Sequence, residues 1–160
     1  MTYETNDRGA TLEEQDEQLE MTPQTALELQ RLHLAQLIDI RQKFEIELQG
    51  EIAGASFLPL FHFKRVLGQP LTELEQEALD EDIPDMRDIQ HFLAMINSMH
   101  HAKDLILVCV CNSGHRSLNA ARLLRLLGYE HSYSLAGGFL DLDEYLQAQQ
   151  EKKEIEATRQ

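Results

Sequence analysis

Two cysteines, few basic residues and no long apolar run limit what this chain of 160 residues can be. Cys109 and Cys111 stand one residue apart, too close for an unstrained bridge, so no disulfide framework is available. A reduced, cytoplasmic protein is the simplest expectation. Bases number 14 against 28 acids, for a net charge of −14. That imbalance excludes a general affinity for nucleic acid or for an anionic membrane, because both need positive charge. The longest apolar run, Leu105 to Cys111, falls far short of the roughly 20 residues that cross a bilayer. The opening Met1-Thr2-Tyr3-Glu4-Thr5-Asn6-Asp7 has neither the basic nor the apolar part of a secretion signal. His91, His100 and His101 have no cysteine or carboxylate at a zinc-like spacing, and no metal is expected there.

What is present suits an ordinary globular domain, with 42% apolar and 26% charged residues. The first twenty residues carry seven acids against the single base Arg8, so residues 1–19 read as a solvated acidic extension. The domain is expected over 20–150, and 151–160 reads as a charged tail. Thr22 is a good helix cap and Pro23 suits the first helical position, ahead of Leu27, Leu29, Leu32 and Leu34. Residues 36–40 read as a strand, and 53–59 as a turn leading into a short second one. Helices are expected over 61–67, over 73–80 behind the cap Thr72, and over 86–99, with Pro70 and Pro84 between them.

Leu105 to Val110 is apolar without alternation, as a central strand covered on both faces should be. A polar loop follows, then a helix over 117–127 closed by Gly128, a strand over 131–135 and a helix over 139–149. Strands alternating with helices predict a mainly parallel sheet with helices on both faces, a three-layer α/β/α fold.

The loop Cys111-Asn112-Ser113-Gly114-His115-Arg116-Ser117 is where chemistry is expected. It lies beyond the carboxyl end of the central strand, where open α/β sheets bind ligands. A chain curling just before a helix aims several backbone N–H groups at one point, and the helix dipole adds positive charge there. With Arg116, these surroundings are expected to hold Cys111 as thiolate, the reactive form. Gly114 allows the tight bend. Cys109, inside the apolar run, reads as core. His115 reads as a solvent-facing loop residue that could meet anions when protonated.

Cys-x-x-Gly-x-Arg-Ser after an apolar strand resembles the active-site loop of the rhodanese family. Four further stretches resemble that family in the right order: Thr22-Pro23; Leu37-Ile38-Asp39-Ile40-Arg41 with Glu45; Gly50-Glu51-Ile52-Ala53-Gly54-Ala55 with Pro59; and Leu135-Ala136-Gly137-Gly138. The resemblance implies a five-stranded parallel sheet and a sulfurtransferase. A donor such as thiosulfate leaves its outer sulfur on Cys111, and cyanide or a thiol then removes it. It implies no cofactor, and as partners a small anionic donor and a thiol or protein acceptor. Asn112 stands where many members place a base, Glu51 where histidine is usual, and Leu142 where tryptophan often follows the glycine pair. The connection from Pro59 to Cys111 is also long, with an insertion over about 61–86. Asp39, Arg41 and Glu45 are rim or structural residues, with Arg41 and Glu45 placed to pair with each other or with Asp39. Two rivals remain. A cysteine phosphatase or arsenate reductase has five residues between Cys and Arg where this loop has four, and a non-catalytic module commonly lacks the cysteine.

Overall fold

A computed structural model describes residues 18–61 and 72–159. Residues 1–17 of the acidic extension, all but Phe61 of the helix expected over 61–67, and Pro70 lie outside them. The order is β1 (Glu20–Met21), α1 (Pro23–Arg31), β2 (Ala35–Asp39), α2 (Lys43–Gln49), β3 (Ser56–Phe57), α3 (Glu73–Glu81), α4 (Met86–Ser98), β4 (Ile106–Val110), α5 (His115–Leu126), β5 (Ser132–Leu135) and α6 (Gly138–Thr158).

The strands form one sheet in the order β1-β5-β4-β2-β3, and every pairing is parallel. β4 is central, as its unbroken apolar run predicts. Successive side chains of a strand point to opposite faces, so β4 feeds two cores at once. Leu107, Cys109 and Cys111 pack with Phe92 and Ile96 of α4 and with Ala120 and Leu124 of α5. Val108 and Val110 pack with Ala26 of α1 and with Phe139 and Leu142 of α6. Leu142 is thus core filler, at the place where tryptophan often stands in the family. The three-layer α/β/α architecture and its five parallel strands follow the sequence reading.

Local chemistry sets the ends of the elements. The Thr22 hydroxyl accepts the Thr25 N–H at 3.3 Å and Pro23 occupies the first turn of α1. Asp85 and Asp88 cap α4 reciprocally, each carboxylate accepting the other's backbone N–H. α3 is tied down by Leu79, which clusters with Phe44 of α2 and with Phe61. The described part of the insert, α3 with Phe61, therefore packs beside α2, the helix that carries Glu45.

Most ends fall within a residue of the sequence reading, and three differences are larger. Glu20 and Met21 form an edge strand on β5, because backbone pairing is indifferent to the acidic composition around it. α5 starts at His115 rather than Ser117, since Gly114 in a left-handed conformation (φ 102°) already turns the chain into the helix. Residues 151–158, read as a tail, continue α6 as an exposed helix; Glu, Lys and Ala favour helix even where nothing covers it.

Candidate active site

Cys111 is the first residue past β4, and its sulfur sits inside the turn that follows. Sγ accepts the Gly114 N–H at 3.1 Å and the Ser117 N–H at 3.4 Å, and lies 3.3 Å from the Ser117 hydroxyl. The two N–H groups point at the sulfur, and the Ser117 hydroxyl can donate to it or accept from it. Cys111 itself has no exposed surface.

The outer side of the loop is gripped by the N-terminus of α6. The Phe139 N–H donates to the Cys111 carbonyl at 2.7 Å, and the Leu140 N–H to the Asn112 carbonyl at 3.2 Å. A trans peptide points its N–H opposite to its carbonyl, so the Asn112 and Ser113 amides face away from α6. The contact is backbone against backbone. A Cβ on Gly138 would stand 2.5 Å from the Cys111 carbonyl oxygen, and its φ of 62° is also left-handed. The Gly-Gly pair after β5 is there because no side chain fits.

Arg116 is fully buried, and both its Nη groups bond to the Glu45 carboxylate, at 2.8 and 2.6 Å. This bidentate pair joins α5 to α2 inside the fold. It corrects one expectation: Glu45 pairs with Arg116, not with Arg41. The two lie 71 residues apart in the chain, and only the folded sheet brings them together.

Arg41 turns back on Asp39, donating through Nη2 at 2.8 Å and Nε at 3.0 Å, and lies 4.3 Å from the Phe139 ring centroid. Its Nη1 also donates to Gln49 Oε1 at 3.2 Å, and Gln49 Nε2 donates to Asn112 Oδ1 at 2.6 Å. Asp39 and Arg41, both buried, thus hold the loop indirectly, through Gln49. Ser113 Oγ lies 3.1 Å from His115 Nδ1, and the His115 ring faces solvent, as expected. Glu51 is exposed and lines an open cavity of about 600 Å3 beside α2, with Asp39, Lys43, Glu47 and Phe57.

Burial pushes the Cys109 thiol well above its ordinary range, helped by Cys111 nearby, so it stays protonated and inert as a core residue. Among the described residues, no three His, Cys, Asp or Glu side chains gather as metal ligands do, and no helix is long and apolar enough to cross a membrane.

Two contributors escaped the sequence reading. Gln49 carries no signal of its own. Ser134 has one: with Ser132 it places two buried hydroxyls on a short strand, and its Oγ lies 2.6 Å from that of Ser117.

The family model for the rhodanese-like domain matches residues 22–144. A human single-domain sulfurtransferase is 24% identical with a TM-score of 0.51, over 79% of this chain and 96% of that one. A rhodanese-like domain from Anabaena is 16% identical with a TM-score of 0.53, over 79% and 74%. A Rhodopseudomonas palustris protein of unknown function, described as a possible tyrosine phosphatase, is 21% identical with a TM-score of 0.51, over 84% and 86%. At such identities the three structures share a fold with this chain, and the residues matched by the family model reach from the cap of α1 to the middle of α6. With four of the five parallel strands, the cysteine loop and the glycine pair inside that span, the chain belongs to the rhodanese-like domain family.

Proposed function

We propose that this protein is a sulfurtransferase that carries sulfane sulfur on Cys111. The observation that carries the reading is the sulfur itself, held at the end of the central strand by the N–H groups of Gly114 and Ser117. In the first step the thiolate attacks the outer sulfur of a donor such as thiosulfate. A new S–S bond forms to Sγ, the donor's S–S bond breaks, and sulfite leaves with the bonding pair. In the second step cyanide, or a small or protein thiol, attacks the outer sulfur and the bonding pair returns to Sγ. Charge leaves the sulfur in one step and comes back in the next, so fixed donors around it serve both. No step calls for a cofactor.

A phosphatase uses its loop arginine to hold the phosphate. Here both Arg116 Nη groups are taken by Glu45, and only four residues separate Cys111 from Arg116. Both features favour sulfur over a tetrahedral oxyanion. A non-catalytic binding module would have no use for amides trained on a thiol.

The test is mass spectrometry of the intact chain after thiosulfate. One added sulfur that cyanide removes is the expected result, absent in Cys111→Ser and retained in Cys109→Ser. Normal loading of Cys111→Ser would overturn the mechanism.

A further inference from the structure

Behind the Cys111 sulfur stands a short chain of hydroxyls. Ser117 Oγ is 3.3 Å from Sγ and 2.6 Å from Ser134 Oγ, and Ser134 Oγ is 3.3 Å from the Gly114 carbonyl oxygen. All four residues are buried. In the first two contacts either atom can be the donor, whereas the carbonyl can only accept. Two hydroxyl hydrogens thus face three acceptors: the sulfur, the other hydroxyl and the carbonyl.

Two arrangements give each hydrogen one acceptor and keep a hydrogen between the two oxygens that stand 2.6 Å apart. When Sγ is an anion it draws the Ser117 hydrogen, Ser117 accepts from Ser134, and the Gly114 carbonyl gives up its contact. When Sγ is bonded to a second sulfur it is a poor acceptor. Ser117 then donates to Ser134, and Ser134 donates to the Gly114 carbonyl. Without Ser134 the first arrangement survives, but in the second the Ser117 hydrogen is buried with no strong acceptor, which carries a desolvation cost.

We propose that Ser117 and Ser134 form a reversible hydroxyl relay whose direction follows the charge on the Cys111 sulfur. The proposal rests on Cys111 being the sulfur carrier. Ser117 touches the reacting atom and stabilises the thiolate. Ser134 is a positioning residue, required when the sulfur is capped. Removing the two hydroxyls should therefore have opposite effects on sulfur release, which loss of packing alone would not produce.

The test uses the full chain with Cys111 capped as a methylthio mixed disulfide by methyl methanethiosulfonate. Dithiothreitol attacks the methyl-bearing sulfur, a new S–S bond forms, and the broken bond's pair returns to Sγ. The rate is followed by intact mass. Ser117→Ala is expected to slow discharge by about ten- to a hundred-fold, the worth of a hydrogen bond to a charged group. Ser134→Val is expected to speed it by about three- to ten-fold, the worth of a neutral one that only the capped state loses. Ser134→Thr, which keeps the hydroxyl, restores the wild-type rate. In the Ser117→Ala background Ser134→Val has no further effect. If Ser134→Val does not fold, Ser134→Ala makes the same comparison with a smaller side chain. Discharge slowed or unchanged by removing the Ser134 hydroxyl, or altered equally with Ser117 absent, overturns the relay. The methylthio probe needs no sulfur donor, so the relay can fail while thiosulfate still loads Cys111. It can equally hold if thiosulfate does not.

Discussion

Replacing Glu45 by alanine leaves the Arg116 guanidinium buried without its counter-charge. Both side chains are sealed from solvent, at 0% and 2% exposure, and the two contacts of 2.8 and 2.6 Å are short and parallel. Removing one member of such a pair costs about 3–5 kcal/mol, because the survivor keeps its desolvation penalty and loses its partner. A domain of this kind is stable by only about 5–15 kcal/mol, so the loss is a large share. At roughly 2–4 °C per kcal/mol the melting temperature should fall by roughly 6–20 °C. Glu45→Leu combined with Arg116→Met removes both charges and fills the space with apolar atoms. That double variant should regain most of the loss, since apolar replacements of buried pairs are often neutral or better. Urea and thermal unfolding measure the stability of all three proteins, and thiosulfate loading at a temperature where each is folded measures function. If the arginine acts by bracing the loop, the folded double variant still loads sulfur within a few-fold of wild type. A single variant as stable as wild type, or a stable double variant that takes no sulfur, would refute this account of Arg116.

Gly138→Ala should cost about 2–5 kcal/mol, from the left-handed backbone and from a Cβ forced against the Cys111 carbonyl, and it should slow Cys111 alkylation by displacing the loop; an unchanged urea midpoint would count against the close approach. Because burial holds Cys109 protonated while the unfolded thiol ionises, the folded state is expected to lose stability as pH rises above about 8.5, by up to about 1.4 kcal/mol per pH unit. Cys109→Val removes that contribution, so urea titrations at neutral and alkaline pH should show the variant losing less than wild type. Asn112 supplies no charge and the chain carries −14, so added salt should speed loading from thiosulfate by screening repulsion and leave an uncharged donor unaffected; a salt-independent thiosulfate rate would remove this reasoning.

The central strand and its loop were legible because both faces of β4 are covered by helices, which leaves an apolar run that only a polar turn can end. Thr22-Pro23 and Gly128 were legible because a cap is written in adjacent residues. The Glu45–Arg116 pair was not, since spacing within the chain pointed to Arg41 and only the order of strands brings α2 to α5. β1 was hidden because two edge residues are held by backbone pairing and carry no pattern. Ser134 lay within a strand whose existence was expected, but the pairing of β5 with β4 that sets its hydroxyl behind Ser117 is a matter of sheet order.

The clasp of α6 on the loop has a consequence for synthesis. The Cys111 and Asn112 carbonyls are fixed by amides at positions 139 and 140, and β1, near the start of the chain, closes onto β5, made near its end. A ribosome that has just extruded the cysteine has delivered neither clasp nor neighbouring strand. Through that interval the Cys111 and Asn112 carbonyls lack the amides that fix them in the folded chain. The cradle around Cys111 is therefore completed late, when α6 docks on the loop.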